Sequence, residues 1–184
     1  MLSLPYFSES GIEIFYGTAG SAGLDLPLWD ARITHKYVEA AIAGATEEEL
    51  DSLEAKLVQD KEYMETQSVT LQPMGQLTIK TGIYVGIPEG YYGSLDTRSS
   101  TSKIRQDLLC HTIDEDFRGN MRLAVINLHE IPVTLKMGQS IAQLIIQKYE
   151  KVEPKGHKSL GEFLASVAAT ERGEGGFGST GRNV

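Results

Sequence analysis

The chain contains a single cysteine, Cys110, and only 17 Lys and Arg residues against 25 Asp and Glu residues. One cysteine cannot form a disulfide within the chain, which is typical of proteins that fold in a reducing compartment. The formal net charge of -8 argues against a protein that grips nucleic acid through its phosphates, because such binding needs clustered cations. We therefore expect a cytoplasmic protein that makes no direct contact with nucleic acid.

Several functional patterns are missing as well. No apolar run approaches the ~18 residues of a membrane span, and the first residues lack the basic and apolar regions of a signal peptide. The four histidines show no metal-ligand spacing, so a zinc site is not expected. Neither a GxxxxGK(S/T) phosphate loop nor a GxSxG nucleophile elbow is present. Membrane proteins and hydrolases built on those two motifs are excluded.

The 184 residues suit one domain, 1–184, that can bury its own core. Within it, residues 31–67 have a different pattern from the rest. Thr46 and Glu49 form the T-x-x-E pattern of a capping box, and the apolar residues that follow recur at helical spacing. These residues are Leu50, Leu53, Leu57 and Val58. We predict a helical insertion with two helices, of which the second is amphipathic.

From Ser68 onwards the sequence indicates β-structure. Polar and apolar residues alternate between Ser68 and Leu95, and the alternation breaks at Pro73, Gly75 and Pro88-Glu89-Gly90. Further strands are predicted for the segments RLAVINL, VTL and SIAQLIIQKYEKVE. Several short strands at this spacing are typical of a β-sandwich or barrel. We therefore predict a mainly β fold.

The segment TRSSTSK, from Thr97 to Lys103, carries groups that suit a phosphate chain. Arg98 offers a guanidinium fork, and Ser99 and Ser100 add two hydroxyls beside the backbone N–H groups of a turn. The alternative is an exposed polar turn between two strands. Judged on these residues alone, the polar turn is favoured.

The segment TIDEDFRGN, from Thr112 to Asn120, contains three successive acidic residues and an aromatic residue. A carboxylate such as Asp114, placed beside a substrate, can act as a general base on water. Phe117 can stack on a sugar or a base. A solvated acidic turn with an aromatic residue in the core explains the same pattern equally well.

Three further segments carry isolated polar residues. Asp25 lies in AGLDL, where a turn of small residues leads into a strand, and Gln143 lies among the apolar residues of GQSIAQLI. The glycine-rich segment ERGEGGFGSTG, from Glu171 to Gly181, has the composition of a disordered terminus. It nevertheless contains an arginine, a phenylalanine and a Ser-Thr pair at tight spacing.

Taken in order, these five segments resemble the five motifs of the trimeric dUTPase family. The resemblance covers residues 3–28 and 68–181, which is nearly all of the chain outside the insertion. It implies a jelly-roll-like β core, a homotrimer with shared active sites, and Mg²⁺-dependent hydrolysis of dUTP to dUMP and pyrophosphate. Such an enzyme limits uracil in DNA and supplies dUMP for dTMP synthesis, and a phage-type member works in the cytoplasm of its host.

The resemblance also implies roles for single residues. Asp114 matches the catalytic aspartate that activates water, and Asp25 matches an acid that supports metal-bound waters. Residues 171–184 match a mobile arm that closes over the nucleotide. The uracil-binding hairpin is expected at Leu108–Thr112, and Phe117 stands where the family usually has tyrosine. The substrate-binding residues implied in this way are Arg98, Ser99, Ser100, Leu109, Thr112, Ile113, Phe117, Arg122, Gln143, Arg172, Phe177, Gly178, Ser179 and Thr180.

Two rival functions remain open at this point. The dCTP deaminases share the fold, but they lack the full glycine-rich C-terminal motif and the aspartate of TID. A regulator that binds nucleotide without hydrolysing it would keep the same pocket. The role of residues 35–65 is also open: they either pack on their own trimer, which we favour, or form a docking surface for another protein.

Overall fold

The computed structural model describes residues 2–29, 46, 48–49, 68–103 and 105–175. This part of the chain forms twelve strands and two short helices. The strands are β1 (Tyr6–Ser8), β2 (Phe15–Tyr16), β3 (Leu24–Pro27), β4 (Ser68–Leu71), β5 (Gln76–Lys80), β6 (Ile83–Val85), β7 (Tyr91–Thr97), β8 (Gln106–Leu108), β9 (Thr112–Ile113), β10 (Arg122–Asn127), β11 (Val133–Lys136) and β12 (Ser140–Lys148). The helices are α1 (Ser99–Lys103) and α2 (Leu160–Ser166). The predicted mainly β fold is confirmed.

The strands pair antiparallel throughout the described residues and form four sheets. One sheet has five strands in the order β2-β3-β12-β7-β9, and another has three in the order β5-β10-β8. Two-stranded sheets join β1 to β6 and β4 to β11. Most partners are far apart in the sequence, as β3 and β12 are, which is the long-range antiparallel pairing of a jelly-roll-like fold.

The core lies between the two larger sheets. Leu77 and Ile79 are buried on β5 while the residues between and beside them are more exposed, which is the period-two pattern of a strand with one face inward. Leu95 of the five-stranded sheet and Leu123 and Val125 of the three-stranded sheet belong to one buried cluster. The two sheets therefore bury their apolar faces together.

Only a small part of the predicted helical insertion lies within the described residues. The Thr46 N–H donates to Glu49 Oε2 at 2.8 Å, and the Glu49 N–H donates to Thr46 Oγ1 at 3.3 Å. These reciprocal bonds form the predicted capping box, which is thereby confirmed. The bond from the Thr46 backbone lowers the pKa of Glu49. The predicted helix before Thr46 and the apolar residues after Glu49 lie outside the described residues.

The chain divides into two compact units, residues 1–149 and residues 150–184. Strand β12 ends at Lys148, so the strand predicted to continue to Glu153 is wrong over its last residues. Val152 is 82% exposed, because charged residues on both sides leave this segment without an apolar face to bury. In the second unit, Ser159 caps helix α2 by accepting the Glu162 N–H at 3.2 Å. No helix of the described ranges is long and apolar enough to span a membrane.

Candidate active site

The predicted site residues of the first unit lie mainly at the two ends of strand β7. One end leads into α1, and the other pairs with β9. We name the two groups by their central residues. The Arg98 end comprises Asp25, Arg98, Ser99, Ser100 and Gln143, and the Asp114 end comprises Thr112, Ile113, Asp114 and Phe117. Leu109 lies between them, in the connection from β8 to β9.

Strand β12 aligns the residues of the Arg98 end, because it pairs with β3 on one side and with β7 on the other. Gln143 lies opposite Asp25 on β3 and opposite Asp96 on β7. Its amide Nε2 donates to the carbonyl oxygen of Thr97 at 3.4 Å. The register of three strands therefore brings Asp25, Gln143 and the residue after β7, Arg98, to one place.

An ion pair joins two of these residues. Arg98 Nη2 lies 3.1 Å from Asp25 Oδ2, and Arg98 Nη1 donates to the carbonyl oxygen of Ser140 at 3.1 Å. The side chain of Asp25 is 10% exposed, whereas that of Arg98 is 36% exposed. Because a buried carboxylate loses hydration, its pairing with the guanidinium offsets that cost. The same bonds fix the orientation of the guanidinium at the protein surface.

Helix α1 begins directly after Arg98 and presents two hydroxyls. Ser99 and Ser100 are exposed, whereas Thr101 is buried and donates its hydroxyl to the carbonyl oxygen of Ile141 at 2.8 Å. Thr101 thereby ties the start of the helix to β12. The Thr101 N–H donates to the Arg98 carbonyl at 2.9 Å, whereas Ser99 and Ser100 lie in the first turn, whose N–H groups have no partners within the helix. Together with the hydroxyls and the guanidinium, they form a donor set that suits an anion.

The segment predicted to be a uracil-binding hairpin connects two sheets instead. In the described residues β8 pairs with β10, and β9 pairs with β7, so the prediction of two mutually paired strands is wrong. The Leu109 N–H donates to the Ala124 carbonyl at 2.8 Å, and the Leu95 N–H donates to the His111 carbonyl at 2.8 Å. These bonds hold the segment at both ends, and the side chain of Leu109 is 51% exposed between them.

Asp114 follows β9 directly and begins a tight turn. The Phe117 N–H donates to the Asp114 carbonyl at 3.2 Å, so these residues occupy the first and last positions of a four-residue turn. Asp114 is exposed, and Phe117 is 39% exposed, which does not fit a core aromatic. A Cβ atom on Gly119 would lie 2.7 Å from Phe117 Cζ. The ring therefore lies directly against Gly119.

Three other predicted residues have distinct positions. Arg122 begins β10 opposite Lys80, which confirms its predicted place on the strand that follows Asp114. Thr112 is exposed. Ile113 is 8% exposed and belongs to the core, so only its backbone is suited to contact a substrate.

The two ends of β7 lie too far apart in one chain to contact the same phosphates. Ile113 pairs with Gly93, which places Asp114 about six strand positions from Arg98. At ~3.3 Å per position this separation is about 20 Å, much longer than a triphosphate. The fold therefore gathers the Arg98 end into one patch and presents Asp114 and Phe117 separately.

The second unit contains the remaining predicted residues. Arg172 Nε donates to the carbonyl oxygen of Gly175 at 2.8 Å, and the Gly175 N–H donates back to the Arg172 carbonyl at 2.9 Å. Arg172 is thus held over its own turn and is exposed. The predicted residues Phe177, Gly178, Ser179 and Thr180 lie outside the described residues.

The donor set limits how a metal can bind. Across the described ranges, no group of three or more His, Cys, Asp or Glu side chains is placed to hold an ion. Asp25 is the buried carboxylate of the Arg98 end, and it is already paired with Arg98. This arrangement fits an ion that arrives on a phosphate chain and keeps its waters, as Mg²⁺ does, rather than an ion caged by protein.

The sequence did not indicate the structural roles of three residues at the two ends of β7. Thr101 anchors α1, Gly119 supports the ring of Phe117, and Glu115 accepts the Gly90 N–H at 2.6 Å. Glu115 and Gly90 are 25 positions apart, so no local pattern signals their bond. The same holds for Thr101, whose partner Ile141 is 40 positions away.

Comparisons with known proteins agree with this fold. The family described as dUTPase matches residues 64–181, which is more than half of the chain. The deoxyuridine 5'-triphosphate nucleotidohydrolase of Finegoldia magna is 40% identical over 116 residues, 61% of this chain and 76% of that protein. The mitochondrial human enzyme of the same name is 37% identical over 117 residues, 62% of this chain and 43% of that protein.

Solved structures of phage proteins have a similar fold. The dUTPase of Staphylococcus bacteriophage 80alpha, solved with dUpNHpp, aligns with a TM-score of 0.69 and 22% identity, covering 99% of this chain and all of that chain. A mutant dUTPase from phage phi11 of S. aureus, described with a structural Mg(II) ion, aligns with a TM-score of 0.59 and 19% identity, covering 86% of this chain and 99% of that chain. On the family match and the bacterial relative, the chain belongs to the dUTPase family, whose members are dUTP diphosphatases.

Proposed function

We propose that this chain hydrolyses dUTP to dUMP and pyrophosphate, the activity for which its relatives are named. The observation that carries the proposal is the family match over residues 64–181. That range includes Asp114 and every predicted substrate-binding residue. In this role the protein limits uracil in DNA and supplies dUMP for dTMP synthesis, and it works in the cytoplasm, that of the host if a phage encodes it.

Asp114 is the proposed general base. Its carboxylate is exposed at the start of a turn, where a water molecule has access to it. The carboxylate takes a proton from that water as the water oxygen attacks the α-phosphorus. The bond from the α-phosphorus to the bridging oxygen breaks, pyrophosphate leaves with the bond electrons, and the proton on Asp114 passes to solvent.

The Arg98 end is the proposed phosphate site. Arg98, Ser99 and Ser100 supply a guanidinium, two hydroxyls and the N–H groups of a helix start, and Gln143 adds an amide. The support for this role is the ion pair to Asp25 at 3.1 Å, because a guanidinium held in place loses little entropy on binding phosphate. These donors stabilise negative charge as pyrophosphate departs.

The Asp114 end is the proposed base and sugar site. The backbone from Leu109 to Thr112, with the following Ile113, contacts the uracil, and the ring of Phe117 packs on the deoxyribose. A ring pressed against that sugar leaves no space for a 2′-hydroxyl, which favours dUTP over UTP. The exposure of Leu109 and Phe117 supports this role. Arg122 contributes a further contact from the start of β10.

Mg²⁺ enters this reaction as part of the substrate, the complex of the ion with the triphosphate. When bound, the ion offsets phosphate charge as a hard Lewis acid. Asp25, the carboxylate beside Arg98, is the residue that would contact the waters of the ion.

Each active site is proposed to be shared between chains of a homotrimer. The support is the separation of about 20 Å between Arg98 and Asp114 along β7. A second copy that brings its Asp114 end to the first copy's Arg98 end would complete the site. Residues 171–184 are proposed to be a mobile arm that closes the site, with Arg172, Ser179 and Thr180 on phosphate, Phe177 on uracil, and Gly178 allowing close approach.

Residues 31–67 are proposed to be an insertion in the single dUTPase domain that hydrolysis does not require. The family match begins at residue 64, near the end of the insertion. Deleting residues 35–65 should leave dUTP turnover and the trimer intact. Loss of a protein partner on deletion would identify a docking surface, and unchanged activity, trimer and partner binding would overturn that alternative.

The experiment that tests the proposed function measures pyrophosphate release from dUTP, with dCTP, dTTP and UTP as controls, with and without EDTA. Release from dUTP alone, dependent on Mg²⁺, is expected. Ammonia release from dCTP would indicate a deaminase. Nucleotide binding without any product would indicate the regulator.

A further inference from the structure

A short hydrogen bond connects the turn of Asp114 to a second turn. The Gly90 N–H donates to Glu115 Oε2 at 2.6 Å. Glu115 is the residue directly after Asp114, and Gly90 lies in the connection between β6 and β7. The turn of Asp114 is therefore attached to the β core through a side chain that none of the proposed catalytic steps uses.

The geometry of the second turn explains why it needs this partner. The Tyr91 N–H donates to the Pro88 carbonyl at 3.1 Å, and Gly90 has a φ of 78°. These features define a type II turn, in which a glycine at the third position adopts a positive φ and its own N–H is not used within the turn. The Gly90 carbonyl accepts the Tyr149 N–H at 3.1 Å, which fixes Gly90 from the other side.

Glu115 is well suited to accept this bond. A carboxylate that accepts a backbone N–H forms a short and strong hydrogen bond, and Glu115 is partly buried. The turn is also closed from within, because Arg118 Nη1 donates to the carbonyls of Glu115 and Phe117 at 2.7 and 2.8 Å. The turn is therefore compact, and Glu115 joins it to Gly90.

We infer that Glu115 is a positioning residue for the hydrolysis of dUTP, acting through the attachment of its carboxylate to the Gly90 N–H. Asp114 and Phe117 stand at the two ends of the turn that this bond fixes, so a shift of the turn moves the base and the aromatic ring together. The inference rests on the proposed function of Asp114 and Phe117. In this role Glu115 sets the position of Asp114 without contacting the substrate itself.

The test separates the length of the side chain from its charge. Glu115→Gln keeps an acceptor at the same reach, whereas Glu115→Asp keeps the charge and is one methylene too short. We expect kcat of Glu115→Gln to stay within about threefold of wild type. We expect kcat of Glu115→Asp to fall about tenfold, which corresponds to a rise of ~1.4 kcal/mol in the activation free energy. Because Phe117 moves as well, the preference for dUTP over UTP should also fall in Glu115→Asp. The opposite order, with Asp active and Gln impaired, would overturn the inference.

Asp116→Ala is the matched control, since Asp116 is an exposed acidic residue of the same turn, and its kcat should match wild type. An equal tenfold loss there would show that any change in this turn impairs the enzyme and would overturn a special role for Glu115.

A second readout needs no activity. In nucleotide-free protein, amide hydrogen exchange at Gly90 should be about tenfold faster in Glu115→Ala than in wild type or Asp116→Ala. Unchanged exchange in an active Glu115→Ala enzyme would overturn this inference alone. A wild type that releases no pyrophosphate from dUTP would overturn the proposed function, and this inference with it, whatever the exchange rates.

Discussion

The Arg98 end and the Asp114 end of strand β7 hold their polar side chains in different ways. At the Arg98 end, Asp25 is 7% exposed and paired with Arg98 at 3.1 Å. At the Asp114 end, Asp114 itself is exposed on a turn. The first carboxylate is held inside the sheet by a cation, and the second is presented to solvent.

This difference indicates that the two ends have different functions. Donors that will bind phosphate gain from being fixed in advance, since little order is then lost on binding. A carboxylate that must take a proton from water needs access to that water, so exposure suits Asp114. We therefore expect changes at the Arg98 end to weaken binding and stability, and changes at the Asp114 end to affect turnover and selectivity.

The largest expected effect is that of Asp114→Asn. Loss of the general base should lower kcat about 10³-fold and leave the melting temperature near that of wild type, because the side chain is exposed. Pyrophosphate release and thermal unfolding measure the two quantities. A variant that keeps more than a tenth of wild-type kcat would show that Asp114 is not the base.

Arg98→Lys tests the other end. A lysine keeps the charge but lacks the planar fork whose two nitrogens, Nη2 and Nη1, reach Asp25 and the Ser140 carbonyl. We expect kcat/KM for dUTP to fall about 10²-fold and the unfolding free energy to fall by about 1–2 kcal/mol. Initial rates of pyrophosphate release at varied dUTP concentration and denaturant unfolding provide the measurements. If neither changes, the guanidinium is not the organising group of this end.

Gly119→Ala sharpens the comparison at the Asp114 end. The added methyl group would lie 2.7 Å from the ring of Phe117, so the ring must move. We expect the ratio of kcat/KM for dUTP to that for UTP to fall about tenfold, while Arg98-dependent binding of pyrophosphate stays unchanged. If the ratio of kcat/KM for dUTP to that for UTP does not change, Phe117 does not determine the discrimination between the two sugars.

The smallest expected effect lies away from both ends. Tyr84 donates its hydroxyl to Glu9 at 2.8 Å, and this bond raises the pKa of Tyr84 above 10.0. The folded state therefore favours the neutral phenol, and its contribution is full below pH 10 and is lost as the pH rises through the raised pKa. Tyr84→Phe should cost at most ~1 kcal/mol at pH 7 and should show a weaker loss of stability above pH 10 in alkaline unfolding curves. If wild type and Tyr84→Phe give the same alkaline unfolding curves, the bond from Tyr84 to Glu9 contributes nothing to stability.

Local patterns predicted much of this molecule. The alternation after Ser68 predicted β-structure, and the T-x-x-E spacing predicted the capping box of Thr46 and Glu49, because both are set by residues close in sequence. The same spacing at Ser159 and Glu162 caps α2. That helix was predictable in principle.

Long-range register was not predictable. Gln143 meets Asp25 because β12 pairs with β3, and the bond of Glu115 to Gly90 spans 25 positions. The predicted hairpin at Leu108–Thr112 was wrong for the same reason, since pairing of β8 with β10 and of β9 with β7 depends on distant strands. Residue roles at the site came from the resemblance of the motifs, and they stay predictions.

The claim that each site joins the Arg98 end of one chain to the Asp114 end of another has a direct test. Asp114→Asn and Arg98→Ala chains, each nearly inactive alone, are co-expressed with different tags, and mixed trimers are purified. Because selection for both tags leaves only trimers with two chains of one variant and one of the other, each mixed trimer contains one intact site of three. We therefore predict about a third of wild-type dUTP turnover. Mixed trimers no more active than either parent would contradict the shared site and place both residues in one chain's own site.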